Sequence, residues 1–194
     1  MKCDDYRANI KKRLASKVEH SVIAREIYLS YPTFSFGEHP EKEFLIKNGI
    51  AEQFGIDIFS IHFGGSAKTG ESYHKPSKFE FGKSDLDAAI ISPTLFLKYL
   101  EYTCVATKNF SDLTSFDTED REIEMFRKYL LRGILIPDLM PSCDERLAWK
   151  TYFNNLSEGN ISLFDNINCW IYSTQKIFEM KFAATVKVLE GRKK

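Results

Sequence analysis

The chain is poor in the residues that would place it in several common classes. Its four cysteines, Cys3, Cys104, Cys143 and Cys169, are scattered and form no C-x-x-C pair. That excludes a disulfide scaffold and a cysteine-built structural zinc site, and it fits a reduced, cytoplasmic setting. Nothing in the sequence pattern supports a cysteine nucleophile. The four histidines, His20, His39, His62 and His74, never adopt the H-x-x-x-H spacing of a zinc-hydrolase helix. Charge of one sign is also lacking: 27 basic residues face 27 acidic ones, which argues against a protein that coats a polyanion by net charge. No apolar run approaches the ~18 residues of a membrane span. Asp4, Asp5 and Arg7 occupy the stretch where a secretory signal would carry its apolar core. A soluble chain without membrane contact is expected, and no internal repeat or low-complexity tract interrupts it.

What is present suffices for one domain over 1–194, made of helices over 1–55, two strands over 56–91, and further helices with a third strand over 92–194. Ile10, Leu14, Val18 and Val22 recur every fourth position, with Ile23 and Ile27 beside them. This predicts one long helix from Tyr6 to just before Pro32. A second helix is expected from Pro40 to Gly55, with Phe44, Leu45, Ile50 and Phe54 turned inward. Strands are predicted over 56–63, 79–91 and 167–172. Ser92 should cap a helix through Tyr102, Asp117 or Thr118 one that stops at Gly133, and Ser142 one through Asn155. A last helix should run from Ser173 or Thr174 to Glu190. Two or three strands with about six helices describe an α/β (α+β) fold.

Charge is distributed unevenly despite its balance. Residues 1–30 hold seven Lys/Arg against four Asp/Glu, and 173–194 hold six against two, while 111–124 is acidic. Such termini are either solvated helix faces or contacts to a polyanion.

Two short stretches carry chemistry. The apolar run from Ile56 ends at Gly64-Gly65-Ser66, where glycines let backbone N–H groups approach phosphate oxygens and the Ser66 hydroxyl adds a hydrogen bond. Lys68 follows closely enough to contribute charge. A Walker phosphate loop is excluded, because its two glycine positions hold His62 and Ala67. The second stretch, Ser84-Asp85-Leu86-Asp87-Ala88-Ala89-Ile90, sets two carboxylates at i and i+2 of a strand. They leave one face about 6.5 Å apart and can share a hard divalent cation. The loop 67–78 between the stretches is long for a compact domain, and His74 lies within it.

A strand ending in Gly-Gly-Ser, then a loop, then a strand bearing apolar-Asp-x-Asp-apolar resembles the polymerase-β-type nucleotidyltransferase superfamily over Phe63 to Ile91. The resemblance implies a small mixed sheet and two magnesium (or manganese) ions held by Asp85 and Asp87. It also implies a nucleoside triphosphate held by Gly65 and Ser66, with Gly64, Lys68 and Ser84 as further candidates to hold it, and its nucleoside monophosphate passes to a hydroxyl on a protein, a nucleic-acid end or a small molecule. Small members of this kind resemble nucleotidyltransferase halves of toxin–antitoxin and phage-defence pairs, which would add a partner protein or self-association. The family's third carboxylate sits on a later strand. Here the strand Ile167–Tyr172 offers Asn168, so Asp165 is the first candidate for that catalytic role and Asp138 the second. The alternative to an enzyme is a module that keeps the fold and binds a nucleotide or partner without turnover.

Overall fold

A computed structural model describes residues 3–75, 77–116 and 120–191. The chain folds into α1 (Cys3–Ala15), α2 (His20–Arg25), α3 (Pro40–Phe54), β1 (Ile61–Gly64), α4 (Gly65–Thr69), β2 (Leu86–Ile91), α5 (Pro93–Ala106), α6 (Asp120–Leu130), β3 (Ile134–Leu135), α7 (Asp144–Glu158), β4 (Ile167–Tyr172) and α8 (Gln175–Gly191). The strands form one sheet in the order β1-β2-β4-β3, in which β2 pairs antiparallel with β1 and parallel with β4, and β3 runs antiparallel to β4. This is the mixed α/β architecture expected from the sequence.

Alternation along the strands splits the interior into two layers. Leu86, Ala88 and Ile90 of β2 share a face with Cys169 and Ile171 of β4. They pack under Ile46 and Ile50 of α3, Leu95 and Tyr99 of α5, and Trp149 and Phe153 of α7. The other face carries Asp87, Ala89, Asn168, Trp170 and Tyr172. It is covered by Tyr6 and Ile10 of α1, Ile23 and Ala24 of α2, and Phe178, Phe182 and Val186 of α8. Each such buried aliphatic or aromatic side chain contributes roughly 1.5–3 kcal/mol over its exposed state.

Several local expectations are corrected. The N-terminal apolar stripe belongs to two helices, because Lys17 takes a left-handed conformation (φ 55°) and Glu19 an extended one. Val18 N–H then bonds back to the Arg13 carbonyl, closing α1. α2 continues into a single π turn, Glu26–Ser30, before Pro32. Ile50 and Phe54 face the core as expected, but Phe44 and Leu45 are exposed, and Ile46 and Ala51 turn inward in their place. The strand expected from Ile56 begins at Ile61, after a 3-10 turn over Ile58–Ser60 that leaves Phe59 exposed. Residues 79–85 are not strand, so Asp85 stands just before β2. Ser92 does cap α5, accepting from Leu95 N–H at 3.1 Å, and the helix reaches Ala106. Cys143 rather than Ser142 precedes α7, and the helix runs to Glu158. The expected cap at Asp117 or Thr118 lies outside the described residues. The two-residue β3 was not foreseen as strand. The third predicted strand coincides with β4. Among the described residues, no helix is long and apolar enough to cross a membrane.

Candidate functional site

The site starts from the backbone of the Gly-Gly-Ser turn. Gly65 has φ 61° and opens α4, which Gly70 closes at φ 82°. Gly64 is the register partner of Asp87. A Cβ on Gly65 would lie 2.1 Å from Asp87 Oδ2, and one on Gly64 would lie 2.7 Å from Phe182 Cζ. Both glycines are therefore demanded by neighbours, and at Gly65 the left-handed backbone demands it again. The two sequence motifs meet at this point, because antiparallel pairing lays the end of β1 against the start of β2.

Beyond this junction lies a cavity of about 180 Å³. Its floor is the sheet face bearing Asp87, Ala89, Asn168, Trp170 and Tyr172. Lys181, Phe182 and Thr185 of α8 form one wall, and the segment Glu71–His74 forms another. That segment is anchored at both ends. Arg7 holds Glu71 through two hydrogen bonds, and His74 Nε2 lies 3.2 Å from Thr185 Oγ1. Lys181 Nζ stands over the rings of Trp170 and Tyr129, at 5.4 and 5.3 Å from their centroids.

Electrostatics concentrate at the carboxylates. Asp87 reaches solvent through the cavity, yet protein surrounds it on its other sides. That burial, with the Asp85 charge added, pushes its pKa up to about 6, against the opposing pull of Lys181. Burial and the Asp165 charge raise the Asp85 pKa in the same direction, opposed by Lys75. Burial, helped by Asp87, pushes Tyr172 far up, so its hydroxyl stays protonated. Asp85 and Asp87 offer the hard oxygen donors that magnesium or manganese takes, and two mutually repelling carboxylates suit such an ion. Among the described residues, no three His, Cys, Asp or Glu side chains gather into a metal-binding group.

The structure brings some of the sequence candidates together and separates others. Gly65 and Asp87 line the cavity, whereas Gly64, Ser66, Ser84 and Asp85 do not. Ser84 is occupied by local structure. Its Oγ accepts from Glu80 N–H at 3.0 Å, and its carbonyl accepts from Asp165 N–H at 3.2 Å. That second bond sets Asp165 beside Asp85, in the loop ahead of β4. Asp138 lies in the 3-10 turn Pro137–Leu139, and it acts electrostatically on Cys169, on the face opposite Asp87. It does not join the site.

Lys68 is the clearest correction. Its side chain is buried, with Nζ donating to the Tyr31 carbonyl at 2.6 Å, and desolvation lowers its pKa to about 8. It ties α4 to the segment after α2 and does not reach the cavity.

Lys181, Trp170, Tyr73 and Thr185 escaped the sequence reading. Trp170 could have been found as the second residue beyond Asn168 on the same strand face. The other three are set by how α8 and the 71–74 segment pack, which no local pattern announces.

No family model, curated protein or solved structure matches the chain.

Proposed function

We propose that this protein is a metal-dependent nucleotidyltransferase of the polymerase-β type, moving a nucleoside monophosphate from a nucleoside triphosphate to a hydroxyl. The observation that carries this reading is the approach of Gly65 to Asp87, in which a phosphate-type glycine turn and a cation-type carboxylate share one cavity with no room for a Cβ between them. Asp85 and Asp87 would hold magnesium or manganese, which supplies charge neutralisation at the reacting phosphoryl group and at departing pyrophosphate. The left-handed Gly65 would let the backbone of the turn approach phosphate oxygens without a Cβ in the way. Lys181, which stands over two rings and lines the same cavity, adds a positive charge that acts on Asp87.

The test is incubation with each α-labelled ribo- and deoxyribonucleoside triphosphate, with magnesium or manganese, beside the Asp85→Asn/Asp87→Asn double variant. Label on protein, nucleic acid or free oligomers that depends on both aspartates supports the transferase. Labelling that survives the double change sinks it.

A second reading is favoured by one observation. Asn168 occupies the register position beside Asp87 where the resemblance implies a carboxylate, and an amide cannot take a proton from an acceptor hydroxyl. In that reading the cavity binds a nucleotide without turnover. A triphosphate-induced rise in melting temperature with no labelled product would select it.

A further inference from the structure

α1 belongs to the layer that covers the sheet face bearing Asp87, with Tyr6 and Ile10 fully buried in it. Arg7, next to Tyr6, turns to the cavity wall. Its Nε and Nη2 donate to the two carboxylate oxygens of Glu71, the former at 2.6 Å. Such a fork, two N–H groups on two carboxylate oxygens, is the strong form of an ion pair. The two partners are not equivalent. The Arg7 side chain is 40% exposed and lines no part of the cavity, whereas the Glu71 side chain is 12% exposed and Glu71 is part of the wall.

Glu71 is also tied to the glycine turn. The Thr69 hydroxyl lies 2.9 Å from the Glu71 carbonyl and 3.3 Å from the Gly65 carbonyl, so its single proton is shared between them. Arg7 is thus joined, through Glu71 and Thr69, to the glycine that meets Asp87. Charge follows the same line. The carboxylates lining the cavity are those of Glu71 and Asp87, and Lys181 is the lysine there, already acting on Asp87. A bare Glu71 would leave surplus negative charge in a recess where solvent screens poorly, and that charge would repel an anion. Arg7 cancels it from outside the recess.

Resting on the transferase reading above, we infer that Arg7 is a positioning residue for the anionic ligand: it acts through Glu71, neutralising the cavity wall, so that the cavity admits anionic groups only while α1 is docked. The receptive state of the site then depends on a side chain 64 residues earlier in the chain than the carboxylate it holds. An ion pair with a structural role alone would tie α1 down and nothing more. The two roles part when both charges are removed together, because that restores a neutral wall but not the tie.

The experiment reads Trp170 fluorescence in the full chain. Trp170 lines the cavity, and the other of the two tryptophans, Trp149, is 1% exposed on the opposite sheet face. Quenching by iodide, by caesium and by neutral acrylamide is compared at a constant ionic strength of about 0.2 M. In Arg7→Met, iodide quenching should fall about twofold and caesium quenching should rise, with acrylamide unchanged. Arg7→Met/Glu71→Gln should return both ions to the parent values, and Arg7→Lys, which keeps the charge without the fork, should stay close to them. Inorganic tripolyphosphate with magnesium, titrated calorimetrically, should bind about tenfold more weakly to Arg7→Met and regain parent affinity in the double variant. Arg13→Met breaks the α1 pair with Glu26, 2.9 Å long and outside the cavity lining, and should change none of these readouts. Melting temperatures of all variants separate a changed cavity from lost folding. Three quenchers rising together in Arg7→Met, no response from any of them, a double variant as impaired as the single one, or an equal effect from Arg13→Met would overturn the inference. Parent protein that ignores tripolyphosphate while the iodide and caesium responses hold would count against the transferase reading and support the control of the cavity by Arg7.

Discussion

Asn168 lies directly across the parallel β2–β4 ladder from Asp87, and both side chains open onto the same cavity. Neighbouring strands are separated by only about 4.8 Å, so whatever occupies position 168 acts on Asp87 at close range. An amide there adds no charge to a carboxylate that already feels Asp85.

Asn168→Asp should therefore expose the site's need for a cation. A like charge opposite Asp87 is expected to destabilise the metal-free protein by up to about 1 kcal/mol, a fall of roughly 2–4 °C in melting temperature for a chain of this size. Magnesium or manganese should restore the loss and bind more tightly than to the parent protein. Thermal melts in EDTA and across a cation titration measure both. A variant indifferent to the cation would count against a metal between these strands.

The raised pKa of Asp87, about 6, fixes the sign of a pH effect. Between about pH 4 and 6 the native carboxyl holds a proton that the unfolded chain has released. Native stability from this group therefore declines as pH rises through that window, and the cost is complete above it. Asp87→Asn cannot ionise, so it should be more stable than the parent above pH 6 and converge with it below about pH 4. Melting temperatures taken from pH 4 to 8 decide the matter.

Lys68 carries the opposite slope. Its lowered pKa, about 8, means that the unfolded chain binds more protons between there and the ordinary lysine value, so stability from this group increases as pH rises through that range. Lys68→Met removes the titration together with the hydrogen bond to the Tyr31 carbonyl. It should destabilise by roughly 1–3 kcal/mol while leaving triphosphate affinity of the folded protein unchanged. Denaturant unfolding and nucleotide titration, run side by side, separate the structural role from a binding one.

Glycine substitutions can divide backbone strain from collision. Gly55 has φ 62° and open space around a would-be Cβ, whereas Gly65 has nearly the same φ and Asp87 Oδ2 in the way. Gly55→Ala should cost about 1 kcal/mol from the left-handed backbone alone. Gly65→Ala should cost roughly 2–4 kcal/mol, because Asp87 must also be displaced. Only the second should abolish triphosphate binding. Equal costs would mean that Asp87 swings aside freely.

Legibility from sequence followed the range of the interaction. β4 could be bounded to the residue because Ile167, Cys169 and Ile171 alternate in a strand with both faces covered. The Gly65 turn and Asp87 were visible because a local backbone demand and a local alternation produce them. The break at Lys17 was not, since the apolar repeat runs on through it and only the docking of α2 against α8 requires the bend. Phe44 and Leu45 misled for the related reason that hydrophobicity does not say which helix face meets the sheet. Lys68 misled because its partner, the Tyr31 carbonyl, is far away in the chain. Asn168 was visible as an amide on the third predicted strand, but its register against Asp87 belongs to the β2–β4 pairing alone.

That pairing also has a consequence for how the molecule is made. β1 and β2 are near neighbours in the chain and can form their hairpin early, whereas β4 emerges from the ribosome only after α5, α6, β3 and α7. Until then β2 carries its carboxylate on an open sheet edge, where another chain could add in place of β4. Non-local parallel pairing of this kind is slow. Synthesis itself thus delays assembly of the cavity until β4 and α8 have been translated.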